Sequence, residues 1–221
     1  MGHLEPIIQY VGSLPEIEID AQKTALICID LQYFDASPDH GVFEGTRDDN
    51  AYYFDRLDNT VIPNVARLQR VAREQRIEVM HVKIAALTND GRDRGRRHAI
   101  RNMLSPRDSI ESTFLPEVCP NGDEIVFSKT SSGMFATTNA DLVLRNMGLD
   151  TLIFVGVATN QCVETSVRVA ADLGYNVLLV EDGCATISKD SHHASIKAMD
   201  DAYAVVKSTD EVIKQMNEDT I

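Results

Sequence analysis

Five short, largely apolar runs constrain this chain more than anything else in it: TALICID (24–30), IEVMHVKI (77–84), DEIVFSK (123–129), DTLIFVGV (150–157) and YNVLLVED (175–182). A strand with one wet face alternates apolar and polar residues. A run that is apolar at successive positions is a strand covered on both faces. Between these runs the periodicity changes. VIPNVARLQRVAREQ (61–75) is apolar at 61, 62, 65, 68, 71 and 72, the spacing of a helix. NADLVLRNMG (139–148), CVETSVRVAADLG (162–174) and SHHASIKAMDDA (191–202) read as further helices, with Asn139 a candidate N-cap and Gly148 a candidate C′ residue. YAVVKS (203–208) reads as a short sixth strand, and DEVIKQMN follows it. Strands alternating with helices of about a dozen residues form right-handed βαβ units and a parallel sheet. The expected fold is therefore α/β: a single doubly wound, three-layer domain over 23–221 after an N-terminal arm, 1–22.

Composition narrows the partners. The chain has 221 residues, 43% of them hydrophobic, enough for one large core. It carries 21 Lys+Arg against 34 Asp+Glu, a net charge of −13. Such a surface repels phosphate backbones and anionic lipid, so neither nucleic acid nor membrane is an expected partner. The N-terminus lacks the basic start and apolar run of a signal peptide, and Gly2 is not followed by a myristoylation signal because position 6 is Pro. Cys28, Cys119, Cys162 and Cys184 form no CxxC and are too few for a disulfide scaffold, which fits a reduced, cytoplasmic protein.

In sheets of this kind ligands bind beyond the carboxyl ends of the strands, near the point where strand order reverses. The residues at those ends are Asp30, Lys129, the loop 156–162 and Glu181–Asp182. Cys162 stands where an apolar strand gives way to a helix. It is either a small buried side chain or a nucleophile whose thiolate the helix N-terminus stabilises. A poised thiolate would be alkylated by iodoacetamide much faster than Cys28, Cys119 or Cys184. Asp30 is either a loop cap or a base, and Lys129 either a solvated charge or a holder of charge in a site. All three fall on one edge of one sheet, and together they make a workable nucleophile, base and orienting set.

ALICIDLQ, then VFSKTSSGMF, then GVATNQCVETS resemble the isochorismatase-like cysteine hydrolases, in the right order and over residues 23 to about 208. The resemblance implies a six-stranded parallel sheet flanked by helices. It implies a catalytic triad of Asp30, Lys129 and Cys162, a cis Val157–Ala158 peptide, and an oxyanion hole from the amides of Ala158 and Cys162. Isochorismatases themselves usually lack the cysteine, so Cys162 points to the amide-cleaving branch. The metal-binding Asp-x-His pair of nicotinamidases is missing from HVKIAALTNDGRDRGRRHAIR, and His98 alone makes no site, so no metal and no cofactor are expected. KTSSGMFATTN followed by NQCVETSVRVAADLGYNVLLVEDGCAT looks most like hydrolases of biuret, triuret or ureidoacrylate. The implied activity is thus hydrolysis of a C–N bond in a small ureide, carbamoyl or amide compound through a Cys162 thioester, with release of ammonia. Homodimers or homotetramers are implied in the same way.

Gln32, Phe34, Ser131, Ser132, Phe135 and Val157 are the candidate substrate contacts. The basic knot RDRGRRHAIR (92–101) is either a lid that guides an anionic substrate or a solvated or subunit-facing surface. His192 and His193, at the start of a helix, read as cap or surface residues. The absence of GxGxxG argues against a dinucleotide binder. The remaining alternatives are a hydrolase of another amide or of isochorismate, and a catalytically silent binding protein on the same fold.

Overall fold

A computed structural model describes residues 12–218. The N-terminal readings at residues 1–11, the start of the expected arm among them, lie outside the described residues. Six strands form one parallel sheet in the order β3-β2-β1-β4-β5-β6. They are β1 (Thr24–Ile29), β2 (Glu78–Ile84), β3 (Val126–Lys129), β4 (Thr151–Val157), β5 (Asn176–Ala185) and β6 (Val205–Lys207). The chain runs outward from β1 to β3 and returns to start again at β4, beside β1. The order therefore reverses between β1 and β4.

Both faces of the sheet are covered, as the unbroken apolar runs require. Leu26 and Cys28 of β1 face one core, and Ala25, Ile27 and Ile29 face the other. The first core is closed by α2 (Ala51–Arg56), α3 (Ile62–Glu74) and α8 (Thr209–Glu218), which contribute Tyr53, Phe54, Val65, Leu68, Val212 and Met216. The second is closed by α5 (Ala140–Asn146), α6 (Glu164–Asp172) and α7 (Lys189–Met199), through Leu144, Val167, Ala170, Ile196 and Met199. Two short helices, α1 (Tyr33–Ala36) and α4 (Arg96–Ile100), ride on the loops after β1 and β2. Residues 12–22 pack along the body: Ile17 and Ile19 are buried, and Glu16 pairs with Lys207 at 2.6 Å.

Several local expectations change. The helix read from 61 begins ten residues earlier, because α2 runs into α3 through a π turn, Leu57–Val61. Its first turns carry Tyr52, Tyr53 and Phe54 in a row, which hides the helical period. Asn139 makes no capping bond; the Thr138 hydroxyl accepts from the Ala140 amide instead, at 3.1 Å. β5 continues to Ala185, past a register shift against β4. Glu181 and Asp182 therefore lie within a strand, not beyond it. Asp182 accepts from the backbone amide and hydroxyl of Thr209 at the start of α8, and from Asn64. Its work is structural. Among the described residues no helix is long and apolar enough to cross a membrane.

Candidate active site

The loops after β1 and β4 meet at the reversal point. Gly156 lets them: its φ is +118°, and a Cβ there would lie 2.0 Å from the Ile29 carbonyl oxygen. Just past that contact Asp30 turns into the left-handed region, φ 51°, unusual for a residue other than glycine. Its side chain is fully buried. The Val157–Ala158 peptide is cis, as the resemblance implied. Thr159–Val163 then winds as a π turn that carries Cys162, before α6 begins at Glu164. Lys129 is the last residue of β3, and its buried side chain reaches past the end of β2 to the same spot.

The three side chains converge. The Lys129 ammonium donates to Asp30 Oδ2 at 2.7 Å and to the Ser131 carbonyl at 3.1 Å, and lies 3.4 Å from Cys162 Sγ. Asp30 Oδ1 is buried without a hydrogen-bond partner. Burial lifts the Asp30 carboxyl above its ordinary range, against the pull of Lys129. Burial also works against the Lys129 ammonium, but Asp30, Cys162 and Asp35 outweigh it and hold the proton on. The 2.7 Å contact thus has the Lys129 ammonium as its donor.

The thiol departs from expectation. Cys162 is only 6% exposed, and burial pushes its pKa well above that of a free thiol, more strongly than Lys129 pulls it down. A π turn, not the first turn of an α-helix, surrounds it. Burial thus favours the thiol of Cys162 over a preformed thiolate. Such an arrangement can make the nucleophile only by passing the proton to Asp30 during attack.

A pocket of about 550 Å³ opens over Cys162 and Ala158, within the range of small-ligand sites. Of the six expected substrate contacts, Phe34 lines it. Gln32 is sealed off: its amide bonds the backbone of Ile84 in both directions and the Glu111 carbonyl, tying the loops after β1 and β2 together. Val157 is buried in the core, Phe135 stacks on Tyr175, and Ser131 offers its carbonyl to Lys129. Ser132 is not in the lining; its hydroxyl accepts from Arg97, which is.

Residues outside that set of six take their place. Asp35 lines the pocket with Oδ2 buried and unpartnered, and burial, then repulsion from Asp30, lifts its carboxyl well above the usual range. Arg97, His98 and Arg101 of the basic knot also line it. His192 is 1% exposed and not a surface or cap residue; Ser188 caps α7. Arg56 donates to His192 Nε2 at 3.0 Å, so the imidazole carries its proton on Nδ1 and donates to the Thr159 hydroxyl at 2.9 Å. Burial and then Arg56 push its pKa down to about 3. The neutral ring thus anchors the turn that carries Cys162. The signal for it was the buried face of a helix whose first turn is otherwise polar.

Among the described residues no group of three or more His, Cys, Asp or Glu side chains stands close enough to hold a metal ion. Residues 24–211 match the isochorismatase domain family. The chain is 28% identical over 205 residues to YwoC of Bacillus subtilis (strain 168), an isochorismatase family protein of uncharacterised activity, covering 90% of this chain and 97% of that one. It is 35% identical over 95 residues to the ureidoacrylate amidohydrolase RutB of Agrobacterium fabrum, covering 43% of this chain and 42% of that one. A crystal structure of a cysteine hydrolase from Pseudomonas syringae pv. phaseolicola superposes with a TM-score of 0.79 at 23% identity, covering 93% of this chain and 97% of that one. That last likeness concerns the fold.

Proposed function

The chain belongs to the isochorismatase family, and from that premise we propose that it is a metal-independent cysteine amidohydrolase that cleaves a C–N bond of a small ureide, carbamoyl or amide compound, of the size of biuret. The observation that carries this reading is the buried contact of Lys129 with both Asp30, at 2.7 Å, and Cys162, at 3.4 Å, beneath an open pocket.

The chemistry runs in two halves. Asp30, through its unpartnered Oδ1, takes the proton from Cys162 as sulfur attacks the amide carbon. The amides of Ala158 and Cys162 stabilise the oxyanion; a donor of this kind contributes about 2.7–4 kcal/mol. Asp30 gives the proton to the leaving nitrogen, the C–N bond breaks, and ammonia or an amine departs. Water then attacks the thioester with Asp30 as base, and the thiol is restored. Lys129 pulls the Asp30 carboxyl down against the effect of burial and so favours its ionised form.

Ammonia release from biuret, triuret, ureidoacrylate, an N-carbamoyl amino acid and nicotinamide, by the wild type and by Cys162→Ser, tests the reading. Turnover of a ureide, carbamoyl or amide compound that the substitution abolishes is the expected result. Turnover that survives the substitution would refute the assignment of the nucleophile, and no turnover on any of them would refute the activity.

A further inference from the structure

The pocket has a second pole that the triad does not use. α4 presents Arg97 and the residue after its last turn, Arg101, to the pocket, four positions apart and therefore on one face. Like charges at that spacing repel. Among the described residues neither guanidinium has a carboxylate partner, and Arg101 has no side-chain partner at all, in a chain of net charge −13. His98 lies between them in sequence. It is 2% exposed, it lines the same pocket, and its Nε2 is buried without a hydrogen-bond partner. Burial first, then the positive charges of Lys129, Arg97 and Arg101, push its pKa down to about 4. Cys162 and Ala158 line the same pocket of about 550 Å³ as the two guanidinia, so one small molecule can touch both poles.

We propose that Arg97 and Arg101 form a carboxylate-binding subsite of this pocket, and that the substrate is a small amide or ureide bearing one carboxylate. The proposal rests on the amidohydrolase reading above and deepens it. The amide end lies over Cys162, the carboxylate is held by the guanidinia, and the neutral imidazole of His98 offers its Nε2 to a polar group between them. Arginine suits this role because its planar fork matches a carboxylate. Glu44 and Glu111 also line the pocket. They come from other loops and pair with neither arginine, so they oppose a second negative charge and favour a monoanion. Neutral biuret fills only one pole.

Binding to full-length Cys162→Ala separates this inference from the activity it rests on. Succinamate, maleamate and N-carbamoylglycine are each compared with their uncharged methyl esters by titration calorimetry. A charge-assisted pair at a partly exposed site gives roughly tenfold or more in affinity. The expected result is that at least one acid binds about tenfold or more tighter than its ester. Arg97→Gln with Arg101→Gln should erase that preference, while Arg96→Gln, an equal change of net charge on the exposed side of the same helix, should keep it. Equal binding of every acid and ester, no binding of any acid, or a preference that survives the double substitution would overturn the subsite. Acid preference with no turnover by the wild type would uphold the subsite and overturn the hydrolase reading. Turnover of amides with no acid preference would do the reverse.

Discussion

Replacing Lys129 with methionine would leave the Asp30 carboxylate fully buried with no counter-charge. Both side chains of this pair are 0% exposed, so solvent does not screen the loss. Removing one partner of a buried, hydrogen-bonded pair costs about 3–5 kcal/mol, most of it the uncompensated charge left behind. That is a large share of the roughly 5–15 kcal/mol that holds a domain together. Urea unfolding followed by circular dichroism reads the loss as a lower midpoint at unchanged slope. The deficit should also depend on pH. Burial already raises Asp30, and loss of the ammonium raises it further above the unfolded value of about 3.9. A group whose folded pKa is raised contributes stability at low pH that is lost as pH rises through that folded value. Lys129→Met should therefore fall short of wild type by less at pH 5 than at pH 8. Asp30→Asn combined with Lys129→Met should cost less than the sum of the two single changes, by about 2 kcal/mol or more. A single-variant cost below about 1 kcal/mol, or strict additivity in the double variant, would refute the buried ion pair.

Three other outcomes follow from the same geometry. Iodoacetamide at neutral pH should label exposed Cys119 first and Cys162 slowly, as read by peptide mass spectrometry, because burial raises the Cys162 thiol; preferential labelling of Cys162 would restore the preformed thiolate. Gly156→Ala should destabilise the fold by about 3 kcal/mol or more, or prevent soluble expression, since its Cβ meets the Ile29 carbonyl at 2.0 Å in a backbone conformation that alanine resists. His192 and His98 are held neutral with pKa values near 3 and 4, below the unfolded value of about 6.5, so they contribute stability above pH 6.5 that is lost as pH falls. Acid-range unfolding curves should show that slope between about pH 6 and 4, and His192→Gln should flatten it.

The β1 and β4 runs were legible because burial on both faces leaves no alternation to interpret, and the reversal point between them follows from two βαβ series in one sheet. Asp30, Lys129 and Cys162 were legible for the same reason: strand ends are the easiest points of this architecture to locate. The pocket wall was not. Gln32 follows Asp30 closely, yet its amide is spent on Ile84 and Glu111. Phe135 stacks on Tyr175 rather than facing the pocket. Arg97 and Arg101 reach the pocket from a segment about 30 residues upstream of Lys129, and nothing in their local pattern says which way that segment folds. Chain position left two readings of Cys162 open, and desolvation, which the sequence does not display, raises the thiol.

The central claim is that Cys162 attacks the substrate and carries its acyl group. Acid-quenched turnover mixtures analysed by peptide mass spectrometry test it most directly. The account predicts a transient acyl adduct on the peptide that contains Cys162, formed and lost on the timescale of ammonia release and absent from Cys162→Ser. Steady turnover with no adduct at any quench time, together with undiminished turnover by Cys162→Ser, would contradict it.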